Sequence, residues 1–428
     1  MSDPHFLSVD ALRVGLYVHI DMKWFEHPFA FSHFKIKSDE QIKIIRSLGL
    51  KNIRIDPALS DEGAISALNS VAAVVPVVSL PEEAAEPSPI MLAKRAMMER
   101  MRERRDNAER IERAFIDTAQ TIRDIEKNLY SRPVETVKNA ETLVTNIVNS
   151  ILTAPELAIQ VMGDKMGGEE LYFHSLNVTM LSLMLARAMQ LPVQAVQTLG
   201  IGALMHDIGD KEVPDKILRK TGPLTQAERN FFELHCQYGL EIGKRLKLAA
   251  PALAIIGEHH ELFDGSGYPA KLKAESTGLL SRIVVIANYY DELCNPNAIA
   301  DALTPHEALS LMFSRLRQKF DPKVLQLFIR CLGVYPPGTI VQLSNGFIGM
   351  VTTVNTARPT KPVLIVYDAE VPKEEAMLLD MDRETDVNIA KAIRPVQVPA
   401  EVYNYLSPRK RVSYYFDASS ARAKTGKS

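Results

Sequence analysis

Five of the ten histidines in this 428-residue chain lie in one stretch of its middle, each near an acidic residue and a helix-like pattern. They are His174, His206, His235 and the adjacent pair His259 and His260. Neutral imidazole and carboxylate are the ligands that suit iron, manganese and zinc, and a carboxylate can bridge two ions. The stretch therefore predicts a multinuclear metal site carried on helices.

The spacing within this stretch adds to the prediction. His206 and Asp207 end the apolar run LGIGALM, so a buried helix would deliver both near its terminus, where one could bind a single ion while the other bridges two. Glu170 precedes His174 by four residues, which on a helix places both side chains on one face about 5 to 6 Å apart. The later run EHHELFDGSGYP, residues 258–269, combines two imidazoles with further acids and a Gly-Ser-Gly turn.

After Pro133 the hydrophobic pattern is helical throughout, as in SLNVTMLSLMLARAMQL and QAVQTLGIGALM. We therefore predict that residues 131–334 form an all-helical bundle with the metal site between helices, which makes the chain mainly α. Residues 1–75 alternate strand-like runs with one helix that begins at the capping residue Ser38, and they predict a small α+β domain. Residues 76–90 are rich in proline, alanine and glutamate and predict a linker.

Residues 91–130 predict one long amphipathic helix. Its apolar side chains recur mostly in steps of three and four, at Met97, Met101, Ala108, Ile111, Phe115, Ile122, Ile125 and Leu129. A seam of this kind pairs two copies in a parallel homodimer or packs one helix on its own domain, and the pattern favours neither.

Beyond Tyr335 the pattern changes to strands. Asn345-Gly346, a typical hairpin turn, stands between apolar runs, and a further run, KPVLIVYDAEV, follows. Residues 335–400 therefore predict a small β-rich domain. The segment 401–428, which ends in ARAKTGKS, is expected to be disordered.

Composition excludes some classes of function. The 50 basic and 52 acidic residues give a net charge of −2, so no basic field favours DNA binding. The three cysteines are scattered and lack CxxC spacing, which is typical of a reducing cytoplasm. No targeting signal is visible, and the apolar stretch 64–80 is broken by Asn69 and Pro76. We expect a cytoplasmic protein without a membrane span.

Four motifs in order resemble the HD-GYP family of cyclic di-GMP phosphodiesterases, a branch of the HD phosphohydrolase superfamily. They are HDIGD at 206–210, VPDKILRKTGPLTQAE at 213–228, HCQYG at 235–239 and HHELFDGSGYP at 259–269. The resemblance covers residues 133–334. The N-terminal segment is similar to the small uncharacterised domain that is often fused upstream of this family.

The resemblance implies a centre of two or three divalent ions, usually iron or manganese. The positions that match the family's ligands are Glu170, His174, His206, Asp207, His235, His259 and His260, with Asp207 as the bridge. Paired ions of this kind activate a bridging water and stabilise charge during displacement at phosphorus. The resemblance also implies residues that shape the substrate pocket and its loop: Lys220, Asp264, Gly265, Gly267, Tyr268 and Pro269. The GYP loop is further implied to contact signalling partner proteins.

The chain departs from the family pattern at three places. Asp210 stands where the family has the lysine of HDIGK, so it either repels a phosphodiester or joins His206 and Asp207 at the reacting centre as an extra ligand. Asn288 stands where the family has an aspartate ligand; its amide oxygen can coordinate but carries no charge. The Arg-containing stretch that usually follows is replaced by residues 294–309.

These observations predict an enzyme that hydrolyses cyclic di-GMP to pGpG, GMP or both, with a hydroxide that bridges the metals as nucleophile. The alternative is a degenerate effector or scaffold that binds cyclic di-GMP or partner proteins with little turnover, which Asp210 and Asn288 favour. A third reading is an HD phosphohydrolase acting on another nucleotide such as cyclic GMP-AMP. The full set of histidine and aspartate ligands favours the enzyme, because a scaffold has no physical need for so many desolvated ligands.

Overall fold

The computed structural model describes the chain with gaps, at residues 5–22, 26–29, 31–69, 118–153, 157–162, 170–296, 298, 301–355, 357–369, 371–373, 376–384, 386–406 and 411–416. Within these ranges the side chains of 66–69, 150–153, 157–162, 170–172 and 411–416 are not described. The predicted linker 76–90 and residues 91–117 of the predicted long helix lie outside the described residues. The chain divides into two compact units, residues 1–105 with 368–379 and residues 106–367 with 380–428.

The first unit is built on a four-stranded antiparallel sheet in the order β1-β4-β2-β3. Its elements are β1 (His5–Ser8), β2 (Tyr17–His19), β3 (His33–Lys35), α1 (Asp39–Arg46), β4 (Asn52–Asp56) and α2 (Glu62–Asn69). Alternate residues of β4, Ile53 and Ile55, enter a core shared with Ile42 and Ile45 of α1. Ser38 caps α1 by accepting a hydrogen bond from the Gln41 backbone. The prediction of a small α+β N-terminal domain is confirmed.

The second unit is mainly helical. Its helices are α3 (118–127), α4 (Pro133–Thr153), α5 (Glu170–Ala188), α6 (Val193–Leu204), α7 (Asp215–Leu218), α8 (Gln226–Phe232), α9 (His235–Arg245), α10 (Ala250–Glu258), α11 (Leu279–Cys294), α12 (Pro305–Ser314), α13 (Pro322–Leu332) and α14 (Ala400–Leu406). Helices α5, α6 and α11 carry apolar residues on most faces, and they pack together in the centre of the bundle. Such helices bury apolar surface on several sides at once. The predicted all-helical bundle is confirmed.

Close packing of α6 on α10 brings the metal-site segments together. A Cβ at Gly202 of α6 would lie 2.5 Å from the Ile255 side chain of α10, so a side chain there would force the helices apart. Both helices end next to predicted ligands. The glycine therefore helps to set the distance between those two ligand segments.

Helix α3 packs against the helical unit to which it belongs. Ala119, Ile122, Ile125 and Leu129 are all at most 3% exposed and join the main core of the bundle. For residues 118–129 the structure thus selects packing on the same domain from the two alternatives that the sequence left open. It does not test a dimer through residues 91–117.

The strands that follow the bundle form a small antiparallel sheet. They are β6 (Ile340–Leu343), β7 (Ile348–Thr353), β8 (Val363–Val366) and β10 (Ile389–Ile393), which pair in the order β10-β6-β7-β8. A further strand, β9 (Met377–Asp380), falls almost wholly in the first unit. The predicted hairpin turn joins β6 to β7, with Gly346 at a φ of +90° that glycine adopts readily.

The expectation of disorder from residue 401 differs from the structure. Helix α14 extends to Leu406, and β11 (Arg411–Phe416) pairs antiparallel with β5 (Leu157–Met162). The reason is that RVSYYF is rich in residues that favour strands and finds a distant partner. Residues 417–428 lie outside the described residues.

Among the helices of the described residues, none is long and apolar enough to cross a membrane.

Candidate metal centre

The predicted ligands come from four places in the bundle, three of them at helix ends. Helix α5 carries His174, the segment after α6 carries His206 and Asp207, α9 begins with His235, and the segment after α10 carries His259 and His260. These ligand segments are separated along the chain by up to 86 residues, and the fold brings them together around one carboxylate.

Asp207 lies between two pairs of imidazoles. Its Oδ2 is 3.0 Å from Nε2 of His206 and 3.4 Å from Nε2 of His174. Its Oδ1 is 3.2 Å from Nε2 of His259 and 3.8 Å from Nε2 of His235. Within each pair the two Nε2 atoms are also close, at 3.3 Å for His174 and His206 and 3.1 Å for His235 and His259. Each carboxylate oxygen therefore faces its own pair of nitrogen ligands.

Two groups of possible metal ligands emerge among the described residues. One consists of His174, His206 and Asp207, and the other of Asp207, His235, His259 and His260. In each group the ligand atoms all lie within 4.8 Å of one another. Because Asp207 belongs to both groups, it has the position of a bridging ligand.

Backbone carbonyls set which ring nitrogen carries the proton. The Nδ1 atoms of His206, His235 and His259 donate to the carbonyls of Ala203, Phe232 and Ile256, at 2.8, 2.7 and 2.9 Å. Each carbonyl stands three residues before its histidine. A neutral imidazole that donates from Nδ1 presents a lone pair at Nε2. Three nitrogen lone pairs therefore face the Asp207 carboxylate, an arrangement that a cation stabilises.

His174 is oriented by a carboxylate instead of a carbonyl. Its Nδ1 donates to Oδ2 of the fully buried Asp291 at 2.7 Å. The other oxygen of Asp291 accepts hydrogen bonds from the Asn177 and Asn295 amides, at 2.8 and 2.9 Å. A carboxylate behind a ligating histidine fixes the ring and raises its basicity. Sequence analysis missed this role of Asp291, because the contact joins residues 117 positions apart.

The electrostatics keep most of the imidazoles neutral. Burial lowers the pKa of His259 to about 4 and also lowers the pKa values of His235 and His260. Burial acts the same way on His174, but its hydrogen bonds to Asp207 and Asp291 outweigh it and raise the His174 pKa well above the ordinary value.

Asp207 itself stays ionised. Burial acts to raise the pKa of this carboxyl, but the charge of His206 and the hydrogen bonds from the surrounding imidazoles hold it well below its usual range. The centre therefore offers an ionised carboxylate at Asp207 and neutral nitrogens at His235, His259 and His260, the donor forms that metal binding needs.

The GYP loop packs directly on His260. The Tyr268 ring stacks on the His260 ring, with centroids 4.5 Å apart and planes at 21°, and the Tyr268 backbone donates to the His260 carbonyl at 3.2 Å. A Cβ at Gly267 would lie 2.3 Å from that carbonyl oxygen, so only glycine fits there. Gly265 has a φ of +79°, which favours glycine. The peptide bond before Pro269 is cis.

Two acidic residues hold the loop in place. Glu261, which is buried, accepts hydrogen bonds from the backbone of Ala270 at 2.5 Å and of Leu272 at 2.9 Å. Asp264 accepts from the Ser266 backbone at 2.9 Å and closes a turn. Asp264 is therefore engaged within the loop, and Glu261 is a loop-positioning residue that sequence analysis did not single out.

The two atypical residues each leave a buried oxygen without a hydrogen-bond donor among the described residues. For Asp210 this atom is Oδ1, and burial together with the charge of Asp207 raises the pKa of the carboxyl well above its ordinary value. For Asn288, which is 2% exposed, the amide nitrogen donates to Glu292 at 3.0 Å and Oδ1 has no donor. Neither residue belongs to the two ligand groups around Asp207.

Glu170 and Lys220 were also predicted as site residues. The Glu170 backbone begins α5, but its side chain is not among those described. The Lys220 ammonium lies 2.5 Å from the Glu228 carboxylate, which also completes the capping box at the start of α8.

The donor set fits divalent first-row metals. Two imidazoles with one carboxylate, as at His174, His206 and Asp207, form the ligand type of non-haem iron sites, and a second set of imidazoles shares the same carboxylate. The buried oxygens of Asp210 and Asn288, which lack donors, add acceptors suited to a cation.

Three family models match the chain. The model described as an HD domain matches residues 142–324, a domain of unknown function (DUF3391) matches residues 6–140, and a KOW domain associated with HD domain matches residues 340–400.

Curated relatives match as well. Cyclic di-GMP phosphodiesterase PA4108 of Pseudomonas aeruginosa is 31% identical over 352 residues, which cover 81% of this chain and 80% of that protein. The cyclic di-GMP phosphodiesterase response regulator RpfG of Xanthomonas campestris is 32% identical over 34% of this chain and 39% of its own length. The 3′3′-cGAMP-specific phosphodiesterase 2 of Vibrio cholerae is 34% identical over 29% of this chain and 24% of its own length.

Proposed function

This chain belongs to the HD-GYP family of HD-domain phosphohydrolases, and from that premise we propose that it is a metal-dependent phosphodiesterase that hydrolyses cyclic di-GMP. The observation that carries the proposal is the Asp207 carboxylate, which lies between two pairs of imidazoles. The relative that covers most of the chain is named for the same activity, which supports the choice of substrate.

The ligand geometry assigns a role to each side chain. His174 and His206 would hold one divalent ion, and His235, His259 and His260 would hold a second, with Asp207 shared between them. When bound, paired ions of iron or manganese supply Lewis-acid charge beside phosphorus and activate water for in-line displacement. Asp291 keeps the His174 ring in its binding orientation.

The cluster of acids is unusual for an anionic substrate. Asp207 is ionised and no lysine stands at position 210, so metal charge has to offset the repulsion between Asp207 and a phosphodiester. This requirement makes turnover depend steeply on metal occupancy. A second candidate substrate is 3′3′-cGAMP, because a matching relative is named for that nucleotide.

The test is hydrolysis by anaerobically purified protein loaded with Fe²⁺ or Mn²⁺, with pGpG and GMP resolved and 3′3′-cGAMP assayed in parallel. We expect Asp207→Ala and His206→Ala to lose both bound metal and hydrolysis. His306→Ala is the matched control, because His306 stacks on Tyr335 outside the centre and should leave both intact.

The results of this assay distinguish an enzyme from a binding or scaffold protein. Hydrolysis that disappears in Asp207→Ala supports the proposal, and the product ratio then says whether the reaction stops at pGpG. Full metal content without turnover of either nucleotide would instead identify a binding or scaffold protein. Full metal content in Asp207→Ala would refute the assignment of Asp207 as the ligand at the heart of the metal centre. The cytoplasmic location, a homodimer through residues 91–129 and partners at the GYP loop stay predictions.

A further inference from the structure

The end of helix α3 and the turn that follows it contact the segment that carries Asp207, at two consecutive residues of that segment. The short 3-10 helix Ile208–Glu212 follows Asp207 directly. Near its end, the Lys211 ammonium lies 2.7 Å from the Glu126 carboxylate, and the next side chain, Glu212, accepts a hydrogen bond from the Tyr130 hydroxyl. Glu126 lies in the last turn of α3 and Tyr130 in the turn that follows it, so both contacts come from the same end of the helix.

The α3 side of this contact is anchored. Ile122 and Ile125 of α3 lie in the bundle core together with Leu129 of the turn after the helix, and all three are at most 3% exposed. Close-packed cores transmit displacement because they contain little free volume. Glu126 is therefore attached to a rigid support and is itself half-buried, with a side chain 25% exposed.

The other side of the contact leads to both halves of the centre. The 3-10 helix is continuous with Asp207, whose carbonyl accepts a hydrogen bond from the Asp210 backbone at 2.9 Å. The same short helix lies against α9, because a Cβ at Gly209 would stand 1.9 Å from the His235 carbonyl oxygen and 2.5 Å from the Gly239 nitrogen. A shift of this helix would therefore move Asp207 and press on the backbone of His235.

We propose that Glu126 and Tyr130 are positioning residues of the metal centre, acting through Lys211 and Glu212 to hold Asp207 and His235 in place relative to each other. The inference rests on the proposed function, since it assigns α3 a role in the same centre. It also assigns a role to Lys211, which follows the atypical Asp210. Through its ion pair with Glu126, Lys211 holds the short 3-10 helix against α3.

The experiment measures Mn²⁺ binding to metal-free protein by electron paramagnetic resonance of the free ion, alongside kcat and KM for cyclic di-GMP. The variants are Glu126→Ala, Lys211→Met, the double variant and Tyr130→Phe. Lys127→Ala is the matched control, because Lys127 is an exposed neighbour of Glu126 on the same helix. Circular dichroism and thermal melting establish that each variant is folded.

We expect each single variant at Glu126 or Lys211 to weaken Mn²⁺ binding by about 3- to 10-fold, less than the loss of about 10- to 100-fold for direct hydrogen-bond partners of ligands. The double variant should bind no more weakly than the weaker single variant, since either change removes the same contact. Tyr130→Phe should lose less, because its hydrogen bond is exposed. kcat should fall while KM stays constant, and Lys127→Ala should match the unmodified protein.

Wild-type Mn²⁺ affinity in both folded single variants would overturn the inference, as would losses that add in the double variant. A loss of melting temperature with unchanged Mn²⁺ affinity would show a structural role only and also overturn it. Asp207→Ala separates this from failure of the proposed function, because retained metal in that variant would refute the centre itself. If the variants bound Mn²⁺ more weakly but the unmodified protein hydrolysed no nucleotide, the positioning role would be supported and only the proposed substrate would be refuted.

Discussion

The orientation of His174 provides a quantitative test of the centre through Asp291. This buried carboxylate accepts three hydrogen bonds, from His174 on one oxygen and from Asn177 and Asn295 on the other. Asp291→Asn changes one acceptor oxygen into a donating NH₂ group without changing the shape of the side chain. Whichever way the new amide is turned, a donor faces a donor.

Both orientations have a calculable cost. If the NH₂ group faces the two asparagine amides, a buried donor is left unpaired, which costs about 1–3 kcal/mol of stability. If it faces His174, the ring must move its proton to Nε2, the nitrogen that lies 3.4 Å from Asp207. The lone pair for the metal is then lost. We expect Mn²⁺ affinity to fall by about 10- to 100-fold, the usual effect of losing such a partner, which corresponds to about 1.4–2.7 kcal/mol.

The assay is an Mn²⁺ titration of metal-free protein, with thermal melting recorded for each variant. Asp321→Asn is the matched control: Asp321 is also a buried carboxylate, but it pairs with Arg282 and caps α13. This control should lose stability and keep its metal. If Asp291→Asn kept both its Mn²⁺ affinity and its melting temperature, the assignment of His174 as a metal ligand held by Asp291 would be refuted.

Two further predictions concern charge. In the metal-free protein the raised pKa of His174 keeps this ring protonated at neutral pH, where it contributes stability that is fully present below the unfolded pKa and lost as pH rises through the folded one. Metal must displace that proton, so Mn²⁺ affinity should rise with pH from neutral upward; calorimetry in buffers of different ionisation heats that detects no proton release at pH 7 would contradict this. Asp210→Lys should lower Mn²⁺ occupancy, because the buried Oδ1 of Asp210 lacks a donor and is available to a cation. Higher turnover at unchanged metal content would show instead that the acid only repels substrate.

Much of the fold was predictable because local patterns decide local structure. The apolar periodicity after Pro133 predicted the helical bundle, and Asn345-Gly346 predicted the hairpin between β6 and β7. The ordered motifs predicted the family, which the comparisons confirm. Six of the predicted ligands lie in the two ligand groups: His174, His206, Asp207, His235, His259 and His260. Asn288 lies outside both groups, and the side chain of Glu170 is not described.

Other features depended on contacts between distant parts of the chain. The strand β11 pairs with β5 across about 250 residues, so the sequence of the tail alone indicated disorder. The apolar face of α3 fits a dimer seam or a domain core equally well, and only the position of its neighbours shows that residues 118–129 enter the core. A periodic pattern shows that a face is buried without showing what buries it.

The sequence by itself thus determined which helices form and which side chains could bind a metal, because helix periodicity and donor type are local properties. Only the tertiary structure decided that Asp207 presents one oxygen to each pair of imidazoles, that Asp291 orients His174, and that Glu126 reaches Lys211. The contacts of Asp207 with His174 and His259, of His174 with Asp291 and of Glu126 with Lys211 join residues 33 to 117 positions apart, and packing of the helices sets their distances. The residue types of the motifs therefore indicate the chemistry of the centre, whereas its geometry follows from the way that α3, α5, α6, α9, α10 and α11 pack.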